Sequence, residues 1–391
     1  MRPGLCAAVY AALLMCGGIP AATADEAVVR IAVLSQLVVR PPALSNLDVP
    51  PDDAGLLGAR LAAADNNTTG RFMKQRFELI EKLVPADGDA VAAFRQLIGQ
   101  GLKLVVTLVG QETLLRLADL PEAGDTLIFN AGAPNDSLRN EECRANVLHM
   151  LPSRAMLADA LAQYLAWKRW SKWLLVVGRR DDDKLFAAAV KRAAKRFGAK
   201  VVAEKPWTFG PDSRRTAQSE VPVFTQDVDY DVLVVADEVG EFGEYLMYRT
   251  WAPKLVAGTQ GLVPTSWHRA HEQWGAAQIQ SRFMKTFKRQ MNPADYHVWA
   301  AVRAIGEAAT RTRSVNSRDI AAYIRGDDFG LPGFKGQALT FRKWNGQLRQ
   351  PILLVTPNAL VSVSPQKGYL HRVSHLDTLG YDEPEAKCRF R

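Results

Sequence analysis

Trp173-Leu174-Leu175-Val176-Val177, then Asp181-Asp182-Asp183, then a helical pattern over 185–197, is where this 391-residue sequence begins a second time. Strand-like runs at 200–204 and 232–236 follow. Upstream, the same alternation already fills the chain, with apolar runs at 29–34, 77–84, 104–109, 126–130 and 147–151, each bounded by Gly, Pro, Asn or Asp. Helical spacing of apolar residues separates them at 56–64 and 90–98. Short apolar runs alternating with helical patterns are the βαβ rhythm of a parallel sheet covered on both faces. Here that rhythm halts near Pro152, passes through a helix at 155–167 and restarts at Trp173, which predicts two α/β lobes rather than one long sheet. The length suits two domains, and 48% hydrophobic residues give each a core of normal size.

Helical patterns return at 278–289 and 297–310. After Pro332, glycines separate 338–341 from 352–355, which reads as a hairpin turned by Asn345-Gly346 in type I′ geometry. From Ser362 the chain is polar and irregular, a wrapping tail. No repeat, low-complexity tract or flexible linker appears, so several short crossings are expected to join the lobes.

At the N-terminus, Arg2 precedes an apolar run, and Ala22-Thr23-Ala24 stands before Asp25, the anatomy of a secretory signal peptide over 1–24. Gly17, Gly18 and Pro20 interrupt the run short of a membrane span, and Met15 stands where lipidation at Cys16 would want a small residue. A soluble, exported chain not embedded in a membrane is expected. Removing the segment takes away only Arg2, so the formal charge falls from +8 to +7. The basic residues are interspersed with acids and lack aromatic interleaving, which argues against nucleic acid as a partner. Cys6 and Cys16 leave with the segment, whereas Cys143 and Cys388 stay. These two are either free thiols or one disulfide, and an oxidising compartment favours the bridge.

Enzyme signatures are missing: there is no G-x-x-x-x-G-K-[ST] loop, no G-x-S-x-G elbow and no G-x-G-x-x-G after the first strand. No catalytic residue and no cofactor is expected. His268, His271 and Glu272 depart from the H-E-x-x-H order and read as a polar connection near a crossing. His149 and His297 have no acidic or nucleophilic partner in local sequence. Asp181, Asp182 and Asp183 open a helix, where carboxylates cap and complement the macrodipole. They also follow a strand, as Asp237 and Glu238 do, and ligands of open α/β sheets bind outside the carboxyl ends of strands. Facing one cleft, the two acidic clusters would suit an amine or a hard metal cation.

The sequence resembles the branched-chain amino acid binding proteins, the Leu/Ile/Val-type receptors of ABC transporters, over nearly all of its length after the signal segment. The resemblance is carried by Val29 through Ser35, by Asp65-Asn66-Asn67 before Gly70, by Pro152-Ser153-Arg154-Ala155-Met156, by Gly258-Thr259-Gln260-Gly261-Leu262-Val263-Pro264, and by the segment 341–351. Residues 135–170, with Cys143 and Arg144, and the terminal Cys388-Arg389-Phe390 are similar to a narrower subgroup accompanying PQQ-dependent alcohol dehydrogenase systems. The family implies a type I periplasmic binding fold, two lobes joined by three crossings and closing on ligand in the periplasm. Its lobes here would be 25–150 with 266–333, and 151–265 with 334–362, leaving 363–391 as the tail.

In amino-acid-binding members, turns after the fourth and fifth strands hold the ligand carboxylate, and an acid of the second lobe takes the ammonium. Here those turns carry Glu112, which repels a carboxylate, and Ala133, where a hydroxyl is usual; Gln260 stands near the expected acid. The resemblance therefore implies a cleft lined by Ser35, Gln36, Gln111, Glu112, Thr113, Asn135 and Asp136 from one lobe, and by Asp181, Asp183, Asp237 and Glu238 from the other. Such an oxygen-rich lining suits a metal, a metal complex or a polar organic solute better than a branched-chain amino acid. The expected partners are a small-molecule or metal solute, including a dehydrogenase cofactor or its calcium or lanthanide ion, and the ABC permease and ATPase subunits. The alternative is a sensor or scaffold of periplasmic alcohol oxidation.

Overall fold

The computed structural model describes residues 26–42, 51–208 and 213–390, so the expected signal segment lies outside the described residues. The first sheet is built from β1 (Ala27–Gln36), β2 (Gln75–Val84), β3 (Leu104–Leu108), β4 (Leu127–Asn130) and β5 (Val147–His149), all parallel in the order β2-β1-β3-β4-β5. In β1, Val29, Ile31, Ala32, Val33 and Leu34 are all wholly buried, as a central parallel strand covered on both faces requires. Helices α1 (Leu56–Met73), α2 (Ala90–Gly99) and α3 (Gln111–Ala118) connect these strands.

Helix α4 (Arg154–Trp167) leads into the second sheet, formed by β6 (Lys172–Val177), β7 (Lys200–Pro206), β8 (Val232–Ala236) and β9 (Leu255–Gly258) in the parallel order β7-β6-β8-β9. Between them run α5 (Asp181–Arg196), α6 (Ser213–Gln226) and the single turn α7 (Gly243–Leu246). The chain then makes β10 (Val263–Thr265) and returns to the first lobe as α8 (Ala276–Phe287), α9 (Pro293–Thr312) and α10 (Ser317–Arg325). Each sheet reverses its winding once, between β1 and β3 and between β6 and β8, and the loops leaving such a switch point form a crevice.

The C-terminal part departs from expectation in pairing. β11 (Leu331–Pro332), β12 (Ala338–Phe341) and β13 (Leu348–Arg349) form one small antiparallel sheet; β14 (Ile352–Thr356) joins β10 and β15 (Ala359–Ser364) in another. The expected hairpin of 338–341 with 352–355 is thus corrected: β12 turns back on β13 through a four-residue loop, closed by Arg342 N–H to Gln347 O at 2.9 Å and Gly346 N–H to Arg342 O at 2.9 Å. Only Gly346 of that loop has positive φ, so it is not a type I′ turn, which needs both central residues there. Leu331, Leu339, Phe341 and Leu348 pack into the first lobe's core, whereas Ile352 and Leu354 pack into the second's. The third passage between lobes accordingly falls at 350–351, not just after Gly333.

Candidate functional site

The three passages are fastened to one another by buried polar side chains. Gln347 Nε2 donates to Leu151 O at 2.9 Å, Gln350 Nε2 to Met150 O at 2.9 Å, and Arg139 Nε to Gln347 Oε1 at 2.9 Å. Burial pushes the Arg139 guanidinium down to about 9, still protonated at neutral pH. On the second passage, Ser266 Oγ lies 2.6 Å from His297 Nε2 of α9.

First-lobe residues expected at the cleft have mixed placements. Ser35 is buried at the end of β1. Gln36 donates to Gly88 O at 3.0 Å and shares with Thr113 the lining of a side cavity of about 190 Å³, between α2 and α3. Gln111 opens α3 and donates to Ser137 Oγ at 2.8 Å and Glu142 Oε2 at 2.5 Å, while Glu112 beside it is exposed. Asn135 offers its carbonyl to Arg139, and Asp136 accepts the Ala155 N–H at 3.0 Å, so it caps α4 across the first passage.

In the second lobe the acids serve the fold. Asp183, wholly buried, accepts backbone N–H groups of Arg180 at 3.1 Å and Glu238 at 2.8 Å; burial raises its carboxyl above the usual range. Asp237 accepts three, from Glu241, Phe242 and Gly243 at 2.9, 2.8 and 2.6 Å, which shapes the turn between β8 and α7. Glu238 takes both Nε and Nη2 of Arg154 at 2.7 and 2.6 Å, and Asp182 takes Nη2 at 2.6 Å. Burial works against the Arg154 charge, but Glu238, Asp182 and Asp136 outweigh it and hold the guanidinium above its ordinary value. Asp181 is exposed and pairs with Lys184 at 2.8 Å. The expectation of two acidic clusters open to an amine or a metal is corrected by these partners: backbone amides and Arg154 already take up Asp183, Asp237 and Glu238. Among the described residues, no three His, Cys, Asp or Glu side chains come together as a metal-binding group.

A cleft of about 760 Å³ lies between the lobes. Arg40, which follows β1, and Ala54, just before α1, border it from one lobe, and Gln260, which follows β9, from the other. Its back is the second passage, with Thr265, Trp267, His268 and Arg269. Apart from Gln260, none of the residues singled out for ligand contact lines it. Sequence reading missed Trp267 and Arg269, which stood in an apparently polar connection with no motif to mark them.

A sequence profile of the periplasmic binding protein family matches residues 52–217. No curated protein matches the sequence. Among solved structures, a periplasmic binding protein from Burkholderia mallei is 17% identical, with a TM-score of 0.66 over 93% of this chain and 98% of that one. A branched-chain amino acid ABC transporter periplasmic ligand-binding protein from Burkholderia xenovorans is 17% identical, with a TM-score of 0.68 over 87% and 92%. A solute-binding protein of an ABC transporter from Rhodopseudomonas palustris, in complex with 3,4-dihydroxybenzoic acid, is 12% identical, with a TM-score of 0.61 over 84% and 93%. At these identities the likeness is one of fold: two parallel-sheet lobes of the type I periplasmic binding kind. The matched family and these neighbours are solute-binding proteins, not enzymes.

Proposed function

We propose that this protein is the periplasmic solute-binding component of an ABC-type transporter, taking a small organic solute between its lobes, closing on it and presenting it to a permease driven by an ATPase. The observation that carries this reading is the inter-lobe cleft of about 760 Å³, bordered by segments that follow strands of both parallel sheets and backed by a chain passage. Hinged lobes of this kind close around ligands, and the Burkholderia xenovorans neighbour is a transporter ligand-binding protein. The acids expected to hold an ammonium or a metal, Asp183, Asp237 and Glu238, are engaged by backbone amides and Arg154 and do not line this cleft, so they do not support a cation as its solute. Ser35, Glu112, Thr113 and Asn135 remain first-lobe candidates for contact after closure. The link to PQQ-dependent alcohol oxidation rests on 135–170 and 388–390 alone.

The test is small-angle scattering and thermal unfolding of the purified protein against amino acids, amines, carboxylic acids, PQQ, calcium and a lanthanide ion. A bound solute at 100 times its Kd adds about 2.7 kcal/mol of stability, and closure lowers the radius of gyration. Compaction by a solute supports the receptor, and compaction by PQQ or its metal supports the alcohol-oxidation link. No compaction by any solute, with capture of a periplasmic dehydrogenase instead, would shift the reading to a scaffold.

A further inference from the structure

We propose that residues 380–388 form a strap of fixed length across the lobes, gripped on the second lobe by Asp159, Arg192 and Arg196 and locked to the first by the Cys143–Cys388 bond, and that this strap sets how far the hinge can swing. The inference adds a conformational limit to the solute-binding reading and does not depend on which solute is bound.

Both ends of the strap are built in. On the second lobe, Asp159 of α4 is wholly buried and accepts the Gly380 N–H at 2.8 Å, while Arg192 and Arg196 of α5 donate to Gly380 O at 3.1 and 2.5 Å. The same two guanidiniums pair with Asp159 at 3.0 and 2.9 Å, and Arg192 stacks over the Tyr381 ring at 4.1 Å. Gly380 is thus held through both of its backbone polar groups, and pulling it away would leave a buried charge network short of a partner. On the first lobe, the Lys387 N–H donates to Asn140 Oδ1 at 3.3 Å, its Nζ pairs with Glu141 at 3.0 Å, and Cys388 is bonded to Cys143. The ion pair alone is exposed and weak. The covalent bond does not slip.

What lies between the anchors has little slack. Glu385 still pairs with Arg192 of the second lobe at 3.2 Å, and Lys387 already meets Asn140 of the first, so two residues carry the chain across. Two residues reach about 7 Å when fully extended. Just before them, Glu383–Glu385 is a single helical turn, closed by Asp382, whose side chain accepts the Glu383 N–H at 2.7 Å and whose own N–H donates to Glu385 at 3.0 Å. When the exposed Glu385 lets go of Arg192, that turn still keeps the strap short of its extended length. Hinged lobes move through a few residues at their crossings, and a further connection that cannot lengthen restricts that movement.

The experiment is double electron–electron resonance on the purified, ligand-free protein, with nitroxides attached through p-acetylphenylalanine at Asp87 and Lys184, exposed positions that follow β2 in one lobe and β6 in the other. Wild type is compared with two variants. Cys143→Ser with Cys388→Ser opens the lock, and a Gly/Ser insertion of six residues after Ala386 keeps every anchor while adding about 20 Å of reach. In both, the inter-lobe distance distribution should broaden by about 7 Å, the reach of the two-residue link, with circular dichroism unchanged. The insertion removes no side chain, so it tests the strap's length without disturbing the contacts that hold the fold. A wild-type distribution in the insertion variant would overturn the strap, and one in the cysteine variant would overturn the part given to the bond. Because the labels report the hinge without any solute, either failure leaves the receptor reading to its own test.

Discussion

His297 shows how one buried side chain can set the pH response. It lies on α9 with Nε2 against Ser266, and burial, with the charges of Lys335 and Arg139, pushes its imidazole down to about 3. His149 and His271 are lowered as well, chiefly by burial. An unfolded histidine takes its proton near pH 6.5; folded His297 stays neutral to about 3. The unfolded state therefore binds more protons over that interval, so the contribution is complete above about 6.5 and is lost as pH falls. Asp159 acts in the opposite sense: burial raises it to about 6, so its contribution is present below the ordinary carboxylate range and lost as pH rises toward 6. The two are separated by substitution. His297→Gln should remove about 1.4 kcal/mol per pH unit of acid destabilisation between pH 6 and 4; urea unfolding at several pH values measures it, and parallel profiles for variant and wild type would contradict it.

At the scale of elements, the closest packing is between α1 and α9. A Cβ on Gly58 would stand 2.0 Å from Asp295 O, and one on Gly306 would stand 2.2 Å from the Asn66 side chain. Gly58→Ala should therefore cost about 1–3 kcal/mol, the range for overpacking a tight core, read as a lower denaturation midpoint with little change in circular dichroism; an unchanged midpoint would contradict it. The same interface explains what the sequence revealed and what it concealed. β1, β6 and β8 were legible because both their faces are buried and their apolar runs are continuous. The expected helix at 56–64 extends instead to Met73 through Asn66, Asn67, Thr68 and Gly70, poor helix formers. Tertiary bonds hold them: Asn66 donates to Val302 O at 2.9 Å, and Asn67 brackets the backbone of Phe77. Helix α3 escaped notice because it is short and its N-cap is Gly110, which offers no capping side chain. At the site, the acids after β6 and β8 were visible as residue types, but their acceptance of backbone amides from 238 and 241–243 depends on turn geometry that no spacing encodes.

For the whole molecule the decisive segment is the tail. It docks on both lobes: wholly buried Asp377 accepts Nε of Arg342 and of Arg349, beside β12 and in β13, at 2.8 Å, and Asp159 of α4 in the second lobe accepts the Gly380 N–H at 2.8 Å. Arg192 stacks over Tyr381 at 4.1 Å. The chain then crosses to the first lobe, where Lys387 pairs with Glu141 at 3.0 Å and Cys388 is bonded to Cys143, with Cα atoms 5.6 Å apart. The bridge spans a sequence separation of 245 and adds a covalent tie between lobes beyond the three passages. Closing a loop of that length removes about 5 kcal/mol of unfolded-chain entropy in the simplest account. Because the buried Asp377 pairs pin the tail independently of the bridge, a Cys143→Ser, Cys388→Ser double variant should keep native secondary structure while unfolding at lower denaturant, by up to that amount. Thiol counting on unfolded, unreduced protein, cleaved after Ala24, should find none; two free thiols, or a double variant as stable as the wild type, would show that the ion pairs alone hold the tail across the lobes.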